Sequence, residues 1–336
     1  MHHTKDIVYG ASLNTSRTSQ YELELDLAGN RAQGNSSLRL VGSAPNCGNQ
    51  TSAYVVAASQ RAPFNVYGVA WPGPGACGTS FSTSLSSPTT RATWAYGEES
   101  GVHGLALAFD DTVLYSADLK GDSIWTHRII DSKEEDTDDE ANGDGQVEQV
   151  GRLRVRDGSG PRHLAVHPAE RYLHVVMETA NELVTFDLDA DTGEPRSQVS
   201  VHSVIPDVTS PPPGLNASAY WAAEVALSPS GRYLWASSRA RGSADLGYLS
   251  VFQLDDRGAV EDRLFMVPTT TRGGIANSVS PAPWSDEFVA MTDYGTGYVQ
   301  IWKVMSGNAE ANATATAVAR VDIVDGGCCA NVIWYD

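Results

Sequence analysis

The stretch that decides the fold is residues 160–189, GPRHLAVHPAERYLHVVMETANELVTFDLD. It contains an apolar run, a polar turn with Pro168, a second apolar run, another turn, and a third run that is rich in β-branched and aromatic residues. Short runs of this composition between turn residues are typical of β-strands. Because such short turns join neighbouring antiparallel strands, residues 160–189 predict three strands of one sheet.

The same order of strands and turns recurs along the chain. It is present in residues 101–129, 221–255 and 276–304, and the repeats begin about 50 to 60 residues apart. A fourth strand follows the repeats, for example EDRLFMV at residues 261–267. Four short strands in each repeat are the signature of a β-propeller blade, so the chain is predicted to be an all-β propeller.

The two ends of the chain indicate how many blades the propeller has and how it closes. Residues 7–42 and 52–84 contain two more groups of strand-like runs, and the first of these lacks its opening strand. The chain ends with ANVIWYD, residues 330–336, which has the pattern of an opening strand. Its pairing with residues 7–11 would remove an open sheet edge. We therefore predict a single domain over residues 1–336 with six four-stranded blades, closed by the C-terminal strand, with seven blades as the alternative.

The charge balance limits the partners of this protein. The 336 residues include 41 Asp and Glu against 23 Lys and Arg, which gives a formal net charge of −18. A protein that neutralises nucleic-acid phosphates needs clustered Lys and Arg in surplus, so no nucleic-acid partner is predicted. The chain has no run of about 18 apolar residues, so no membrane span is predicted. A small molecule is the expected partner, and the oligomeric state is left open.

An acidic segment interrupts one predicted blade. Residues 133–145, KEEDTDDEANGDG, form the centre of an insertion that covers residues 131–146. Their spacing does not match the calcium loop of an EF-hand, which requires a bidentate Glu at its end. The insertion is predicted to be a solvated loop.

Cysteines and glycosylation motifs favour an oxidising compartment. Cys47 and Cys77 lie in segments rich in Gly, Asn and Pro, where a disulfide would join two loops, while Cys328 and Cys329 could pair with each other or with the first two. Five Asn-x-Ser/Thr motifs occur, at Asn14, Asn35, Asn49, Asn216 and Asn312. The chain is therefore expected to be secreted or lumenal after removal of a signal peptide, with a cytoplasmic protein as the alternative.

Four polar residues stand at the ends of predicted strands. His103 and Arg162 open the first strands of two repeats, and Glu178 and Arg239 close second strands. Equivalent strand ends of different blades meet at one mouth of a propeller channel, so these side chains are predicted to converge. One imidazole, one carboxylate and two guanidinium groups could bind an anionic or carbonyl-rich substrate and transfer a proton. The structural alternative is that each arginine clamps two blades together.

The sequence gives no support for a metal or a redox cofactor. His163 and His167 are four residues apart, but they lie on a predicted strand that runs into a His-Pro turn, where they would be well separated. No Gly-x-Ser-x-Gly nucleophile elbow and no Walker motif is present. We therefore predict no metal and no cofactor.

Several of these segments are recognisable when they are taken together: GVHGLALAF, PRHLAVHP, VMETANEL, YLWASSRA and the terminal NVIWYD. As a set they closely resemble the fungal 3-carboxy-cis,cis-muconate cyclase family of lactonase-type β-propellers. The resemblance implies a cofactor-free active site in the propeller channel, where a carboxylate closes onto a double bond. It also implies that the family's catalytic His, Arg, Glu and Arg stand at His103, Arg162, Glu178 and Arg239, the same four residues.

The chain also departs from that family. It reads GGIAN where the family has Gly-Gly-His, which places Ile275 at the position of an imidazole, and it is one blade shorter at its N-terminal end. Replacement of a polar group by an apolar one predicts a less charged and more hydrophobic substrate. The substrate contacts are assigned to Ile275, Asn277, Trp221 and Asp118.

These features together predict a cofactor-free, ring-forming enzyme. The departures favour cyclisation of the hetero-Diels-Alder type in fungal secondary metabolism, where the protein holds two reacting partners together and polarises a heterodiene. Lactonisation of a carboxymuconate is the first alternative. A lactone hydrolase similar to phosphogluconolactonase and a non-enzymatic secreted glycoprotein are two others.

Overall fold

The computed structural model describes residues 6–24, 37–60, 65–82, 87–130, 146–207, 216–242, 245–274, 276–305, 307, 313–323 and 330–335. Over these residues the chain consists of β-strands joined by turns, with two single-turn 3-10 helices at Cys47–Asn49 and Ala217–Ala219. The all-β prediction is confirmed. The predicted acidic loop and Ile275 lie outside the described residues, as do Cys328 and Cys329.

Backbone contacts group the chain into two compact units. The first consists of residues 1–121 and 125–152 and the second of residues 122–124 and 153–336. Each unit contributes three sheets, in which strands that are consecutive in sequence are neighbours in space. That meander is the order predicted from the short turns. The single-domain organisation of residues 1–336 stays a prediction.

The first unit contains one three-stranded and two four-stranded sheets in the described part of the chain. The three-stranded sheet is the first one, and the sequence pattern of this group also lacks its opening strand. Its strands are β1 (Ile7–Gly10), β2 (Arg17–Glu24) and β3 (Ser37–Pro45), then β4 (Ser52–Ala57), β5 (Val66–Ala70), β6 (Cys77–Ser82) and β7 (Thr89–Ala95), then β8 (Val102–Ala108), β9 (Val113–Asp118), β10 (Ser123–Ile130) and β11 (Gln146–Arg154).

The second unit contains three four-stranded sheets. They are the fourth, fifth and sixth sheets of the chain. Their strands are β12 (Pro161–Val166), β13 (Tyr172–Met177), β14 (Glu182–Leu188) and β15 (Pro195–Ser203), then β16 (Tyr220–Leu227), β17 (Tyr233–Ala240), β18 (Tyr248–Leu254) and β19 (Val260–Pro268), then β20 (Val279–Pro281), β21 (Phe288–Asp293), β22 (Tyr298–Met305) and β23 (Thr314–Asp322).

Hydrophobic cores fill the spaces between successive sheets within each unit. In the first unit, Tyr67 and Val69 of the second sheet pack with Leu105 and Trp125 of the third. In the second unit, the fourth and fifth sheets share a core that includes Val176 and Leu234, and the fifth and sixth share one that includes Trp235 and Met291. The second strands of the third, fourth and sixth sheets are buried almost throughout because they are covered on both faces, whereas the fourth strands of the last three sheets are mostly exposed.

The C-terminal segment does not form the predicted closing strand. Residues 330–335 have no strand assignment and lie instead on the sixth sheet. The indole N–H of Trp334 donates to the Ser280 carbonyl over 2.8 Å, and its ring meets Trp284 edge-on with centroids 5.0 Å apart. Asn331 Oδ1 accepts a hydrogen bond from Ser278 Oγ at 2.7 Å. These side-chain contacts along β20 hold the segment without a backbone ladder.

A disulfide joins Cys47 to Cys77, with the two Cα atoms 6.0 Å apart, which is one of the pairings that the sequence left open. It ties the first 3-10 turn to the start of β6. Among the described glycosylation motifs, Asn14, Asn49 and Asn216 are exposed. No helix of the described residues combines the length and the apolar character that crossing a membrane requires.

Candidate active site

A backbone irregularity recurs near the start of the first strand of several sheets. Along β8 the pairing with β9 slips between Val102 and Gly104, so that His103 is an extra residue. The same slip on β12 leaves Arg162 unpaired, and on β16 it leaves Ala223 unpaired. Such a β-bulge redirects a side chain, and bulges are frequent next to active sites. His103 and Arg162 therefore occupy equivalent positions in two sheets.

Glu178 and Arg239 lie at the ends of second strands. Glu178 directly follows β13, where its N–H donates to the Gly160 carbonyl over 2.6 Å. Arg239 is the last residue but one of β17 and pairs with Trp221 of β16. Both strands belong to the second unit, and their sheets are neighbours. The strand ends therefore bring Glu178 and Arg239 together although 61 residues separate them.

Two buried arginines converge on the carboxylate of Glu178. Arg162 Nε lies 2.8 Å from Glu178 Oε2, and Arg239 Nη2 donates to the same oxygen over 2.5 Å. The side chains of the arginines are 6% and 4% exposed, and that of Glu178 is 15% exposed. We call Arg162, Glu178 and Arg239 the arginine cradle. Three of the four residues predicted to converge do so within the second unit.

The arginine cradle carries more positive than negative charge. Burial and the neighbouring charge of Arg162 together lower the pKa of Arg239 to about 9, although the carboxylate of Glu178 opposes both effects. Two guanidinium groups against one carboxylate leave one positive charge in a poorly solvated place. Buried charge of this kind is costly unless it is paired, so the cradle favours a second anion.

The predicted substrate-contact residues have different surroundings. The half-buried Trp221 ring lies under Arg239 and Arg241, with guanidinium carbons 5.2 and 4.3 Å from its centroid. Asn277 is buried, and its Nδ2 donates to the Ser238 carbonyl over 3.3 Å. Trp221 thus flanks the cradle at Arg239. Asn277 lies behind it, next to the backbone of β17.

The surroundings of Asn277 also explain a glycine. Gly273 has φ +87°, and a Cβ there would stand 2.7 Å from Asn277 Nδ2 and 3.0 Å from Arg239 Cβ. Only glycine combines that backbone angle with so close an approach. Gly273 was not among the residues selected from the sequence, although the pair Gly273-Gly274 next to a predicted substrate contact was a visible signal.

Asp118 and His103 belong to the first unit. The Asp118 carboxylate accepts hydrogen bonds from Ser100 Oγ, the N–H groups of Gly101 and Gly121, and the Trp125 indole, at 2.5 to 3.0 Å. These bonds hold the turns of the third sheet and occupy both oxygens. The His103 ring meets Trp71 edge-on, with centroids 5.0 Å apart. Asp118 therefore has a structural role in its own sheet.

A buried acid–base pair in the second unit was not recognised from the sequence. His163 Nδ1 lies 2.5 Å from Glu224 Oε1, and both side chains are 8% exposed. His163 follows the bulge of β12 and Glu224 follows the bulge of β16, so the pair links equivalent positions of neighbouring sheets. A carboxylate within the apolar run WAAEVAL was the signal, because a buried charge needs a partner.

Burial and the two arginines determine the charge of this pair. Burial raises the pKa of Glu224 to about 7, while Arg162 and the N–H of Val225 oppose the rise. Burial lowers the pKa of His163 well below its usual value, and the positive charges of Arg162 and Arg239 lower it further. The two groups titrate as a unit that holds one proton up to about neutral pH. No three His, Cys, Asp or Glu side chains of the described ranges come together as a metal site.

Comparison with known proteins decides the family. Residues 92–274 match the family described as "Lactonase, 7-bladed beta-propeller". Over 292 residues the chain is 35% identical to the carboxy-cis,cis-muconate cyclase of Neurospora crassa, which covers 85% of this chain and 74% of that protein. The chain belongs to the lactonase family of β-propellers. The resemblance recognised in the sequence is confirmed, and each sheet is a propeller blade.

Other members of the lactonase family are more distant. The 6-phosphogluconolactonase of Pectobacterium carotovorum is 29% identical over 172 residues, which are 51% of this chain and 45% of that protein. The crystal structure of a putative 6-phosphogluconolactonase from Bacteroides fragilis has a TM-score of 0.69 at 16% identity, over 96% of this chain and 83% of that one, and it supports the fold alone. The family is named for seven blades, whereas the described residues of this chain form six. The curated relatives are cyclases and lactonases, and this chain is an enzyme of that type.

Proposed function

We propose that this protein is a cofactor-free cyclase that closes a C–O bond within an unsaturated small-molecule carboxylate. The observation that carries the proposal is the convergence of Arg162 and Arg239, both buried, on the single carboxylate of Glu178. A site with two arginines and one acid has a positive charge to spare for a substrate anion. The sequence relationship to a carboxy-cis,cis-muconate cyclase supports the same chemistry.

In such a lactonisation, one carboxylate oxygen of the substrate adds to a carbon–carbon double bond that is conjugated to a second carboxylate. The new C–O bond forms as the π bond breaks, and the electron pair moves onto the second carboxylate as an enolate. A proton then adds at the carbon next to that carboxylate. The reaction is an isomerisation, so it needs no oxidant, reductant or leaving group.

The arginine cradle suits the charge that develops in this reaction. Arg162 and Arg239 would hold the acceptor carboxylate and stabilise the enolate oxygens, because fixed donors at a developing negative charge lower the barrier most. Glu178 keeps the two guanidinium groups at a fixed separation. Trp221 would cover the unsaturated part of the substrate beside Arg239. His103 stays our sequence-based proposal for the group that delivers the proton.

A second candidate is hetero-Diels-Alder cyclisation in fungal secondary metabolism. It is favoured by the bonding of Glu178, whose carboxylate is engaged by both arginines and is better placed to orient them than to act as an acid. A cycloaddition needs polarisation of a carbonyl and correct orientation, without net proton transfer. The replacement of an imidazole by Ile275 also points to a less charged substrate.

Product analysis in D₂O separates the two chemistries. Lactonisation places one solvent deuteron on the carbon next to the new ring bond, and cycloaddition places none. The assay follows carboxy-cis,cis-muconate first and neutral heterodienes second. Deuterium at that carbon would reject cycloaddition, and turnover without it would reject lactonisation.

Substitutions test the cradle itself. Arg162→Ala and Arg239→Ala are expected to reduce kcat/KM by on the order of 10²-fold or more, the usual effect of losing one oxyanion donor. Arg156→Ala is the matched control, because Arg156 lies in the same unit and pairs with Glu182 at 2.8 Å but is 66% exposed. His103→Gln should be as harmful as the arginine replacements in lactonisation and mild in cycloaddition, whereas Glu178→Gln should be harmful in both because Glu178 positions both arginines. If all four site variants keep full activity, the cradle is not the active site.

We also propose that the protein is a secreted glycoprotein. The Cys47–Cys77 disulfide and the exposed motifs at Asn14, Asn49 and Asn216 support this. Intact-mass analysis after expression in a eukaryotic secretory host should give a mass that decreases on deglycosylation. An unmodified mass together with free thiols would favour the cytoplasmic alternative.

A further inference from the structure

The buried pair of His163 and Glu224 lies directly behind the arginine cradle. Arg162 Nη1 is 3.5 Å from both ring nitrogens of His163, so the guanidinium stands against the face of the imidazole. The same Nη1 donates to the carbonyl of Ala223, the residue that precedes Glu224. The position of Arg162 therefore depends on where the pair holds its ring and the β16 backbone.

The charged groups around the pair come from three strands. Arg162 of β12 and Arg239 of β17 contribute positive charge, and Glu178 after β13 contributes negative charge. From the sixth sheet, the neutral hydroxyl of Ser278 reaches the Glu224 carboxyl. With one proton on the pair, these groups sum to one positive charge. Without that proton, Glu224 is a carboxylate and the sum is zero.

We propose that the His163–Glu224 pair is a positioning element that fixes Arg162 and, through the single proton that it shares, sets the charge with which the arginine cradle meets a substrate carboxylate. The proposal rests on the proposed function for the identity of the ligand, but the state of the pair itself does not depend on it. With its proton, Glu224 donates to His163 Nδ1 and the cradle keeps its excess charge. Loss of that proton above neutral pH supplies the cradle with an internal anion, which competes with the substrate.

A purely structural pair would behave differently. It would stabilise the sheets, and its removal would lower the yield of folded protein, but the remaining folded protein would bind anions with an unchanged pH dependence. The pH profile of binding is therefore the decisive readout. A matched control is His174→Gln, because His174 is another buried histidine of the fourth sheet whose Nδ1 lies 3.0 Å from the hydroxyl of Thr185.

The first experiment observes the proton directly, without any substrate. Infrared difference spectra between pH 6 and pH 8 should contain a carboxylic-acid C=O band that is lost at high pH. The band should be absent in Glu224→Gln and present in His174→Gln. A spectrum of Glu224→Gln identical to that of the unaltered protein would overturn the proposal, whatever the enzyme's substrate is.

The second experiment measures the KM for carboxy-cis,cis-muconate over the same pH range. In the unaltered protein and in His174→Gln, KM should rise by on the order of tenfold as the cradle loses one unit of charge, the scale of a nearby charge pair in a protein. In Glu224→Gln the rise should be less than twofold, with kcat reduced at every pH because Arg162 is less well held. Parallel KM profiles would overturn the proposal, whereas no turnover by the unaltered protein would count against the proposed function and leave the infrared test decisive.

Discussion

Replacement of Glu224 by Gln should change how the stability of the protein depends on pH. In the unfolded chain, Glu224 and His163 have their ordinary pKa values of 4.5 and 6.5. In the folded protein, Glu224 titrates at about 7 and His163 well below its ordinary value. Between pH 4.5 and 6.5, the pair thus holds one proton in both states, and its contribution to the free energy of unfolding is constant.

Below pH 4.5 the two states differ. The unfolded pair takes up a second proton, while burial next to Arg162 and Arg239 keeps His163 neutral in the folded protein. Because the pKa of His163 is lower in the folded protein than in the unfolded chain, uptake of the second proton favours the unfolded chain, and the protein loses stability as the pH falls. The free energy of unfolding should therefore decrease by about 1.4 kcal/mol for each pH unit below 4.5 on account of this pair.

In Glu224→Gln, only the histidine remains. Its proton is taken up by the unfolded chain from pH 6.5 downward, so the loss of stability begins two pH units earlier than in the unaltered protein. Between pH 6.5 and 4.5 the variant should lose about 2.7 kcal/mol that the unaltered protein keeps. His163→Gln should have the opposite slope, because only Glu224 then titrates and its pKa is higher in the folded protein than in the unfolded chain. A protonated Glu224 stabilises the folded protein below pH 4.5, and this contribution of about 3 kcal/mol is lost as the pH rises from 4.5 to 7.

Urea unfolding at half-unit steps from pH 4 to 8 measures these slopes, because the difference between variant and unaltered protein cancels the other titrating groups. His174→Gln tests the sign of the argument: burial lowers the pKa of His174 to about 3, so its removal should flatten the loss of stability below pH 6.5 rather than steepen it. Parallel curves for Glu224→Gln and the unaltered protein between pH 4.5 and 6.5 would refute the reasoning, since they would mean that His163 gains its proton as easily in the folded state as in the unfolded one.

Three further outcomes are expected. Gly273→Ala should destabilise the protein by about 1–3 kcal/mol and lower activity, because a left-handed backbone angle and a steric clash coincide at this position. The control Gly158→Ala should cost only about 1 kcal/mol, because Gly158 has φ +73° but open space for a Cβ. Equal shifts of the thermal-unfolding midpoint in the two variants would contradict this. Cys47→Ser should cost about 2–4 kcal/mol, since the disulfide spans 30 residues, and an unchanged urea midpoint under oxidising conditions would count against it. Trp334→Ala should release residues 330–335 from the sixth sheet, seen as faster proteolytic cleavage in that segment and no new cleavage in β4; an unaltered cleavage pattern would show that the indole contacts are dispensable.

The strands and their order could be predicted from the sequence because their causes are local. The turn around Pro168 and the apolar runs that flank it define two strands without reference to the rest of the chain. The same holds for the repeats that begin at residues 101, 221 and 276. Strand ends were also accessible, so Arg162, Glu178 and Arg239 could be selected as residues at equivalent ends of neighbouring repeats.

The sequence by itself therefore determined the all-β sheets, their meander order and the choice of residues for the cradle, while the pairing of Cys47 with Cys77 was settled only by the structure. Only the tertiary structure decided which side chains are in contact. A β-bulge turns Arg162 towards Glu178. The packing of neighbouring sheets places Glu224 against His163, although 61 residues of sequence separate them. The tertiary structure also assigned Asp118 to a turn and the C-terminal segment to the face of the sixth sheet. The physical reason is that strand formation depends on short-range pattern, whereas contacts between sheets depend on register slips and side-chain packing, which no local pattern encodes.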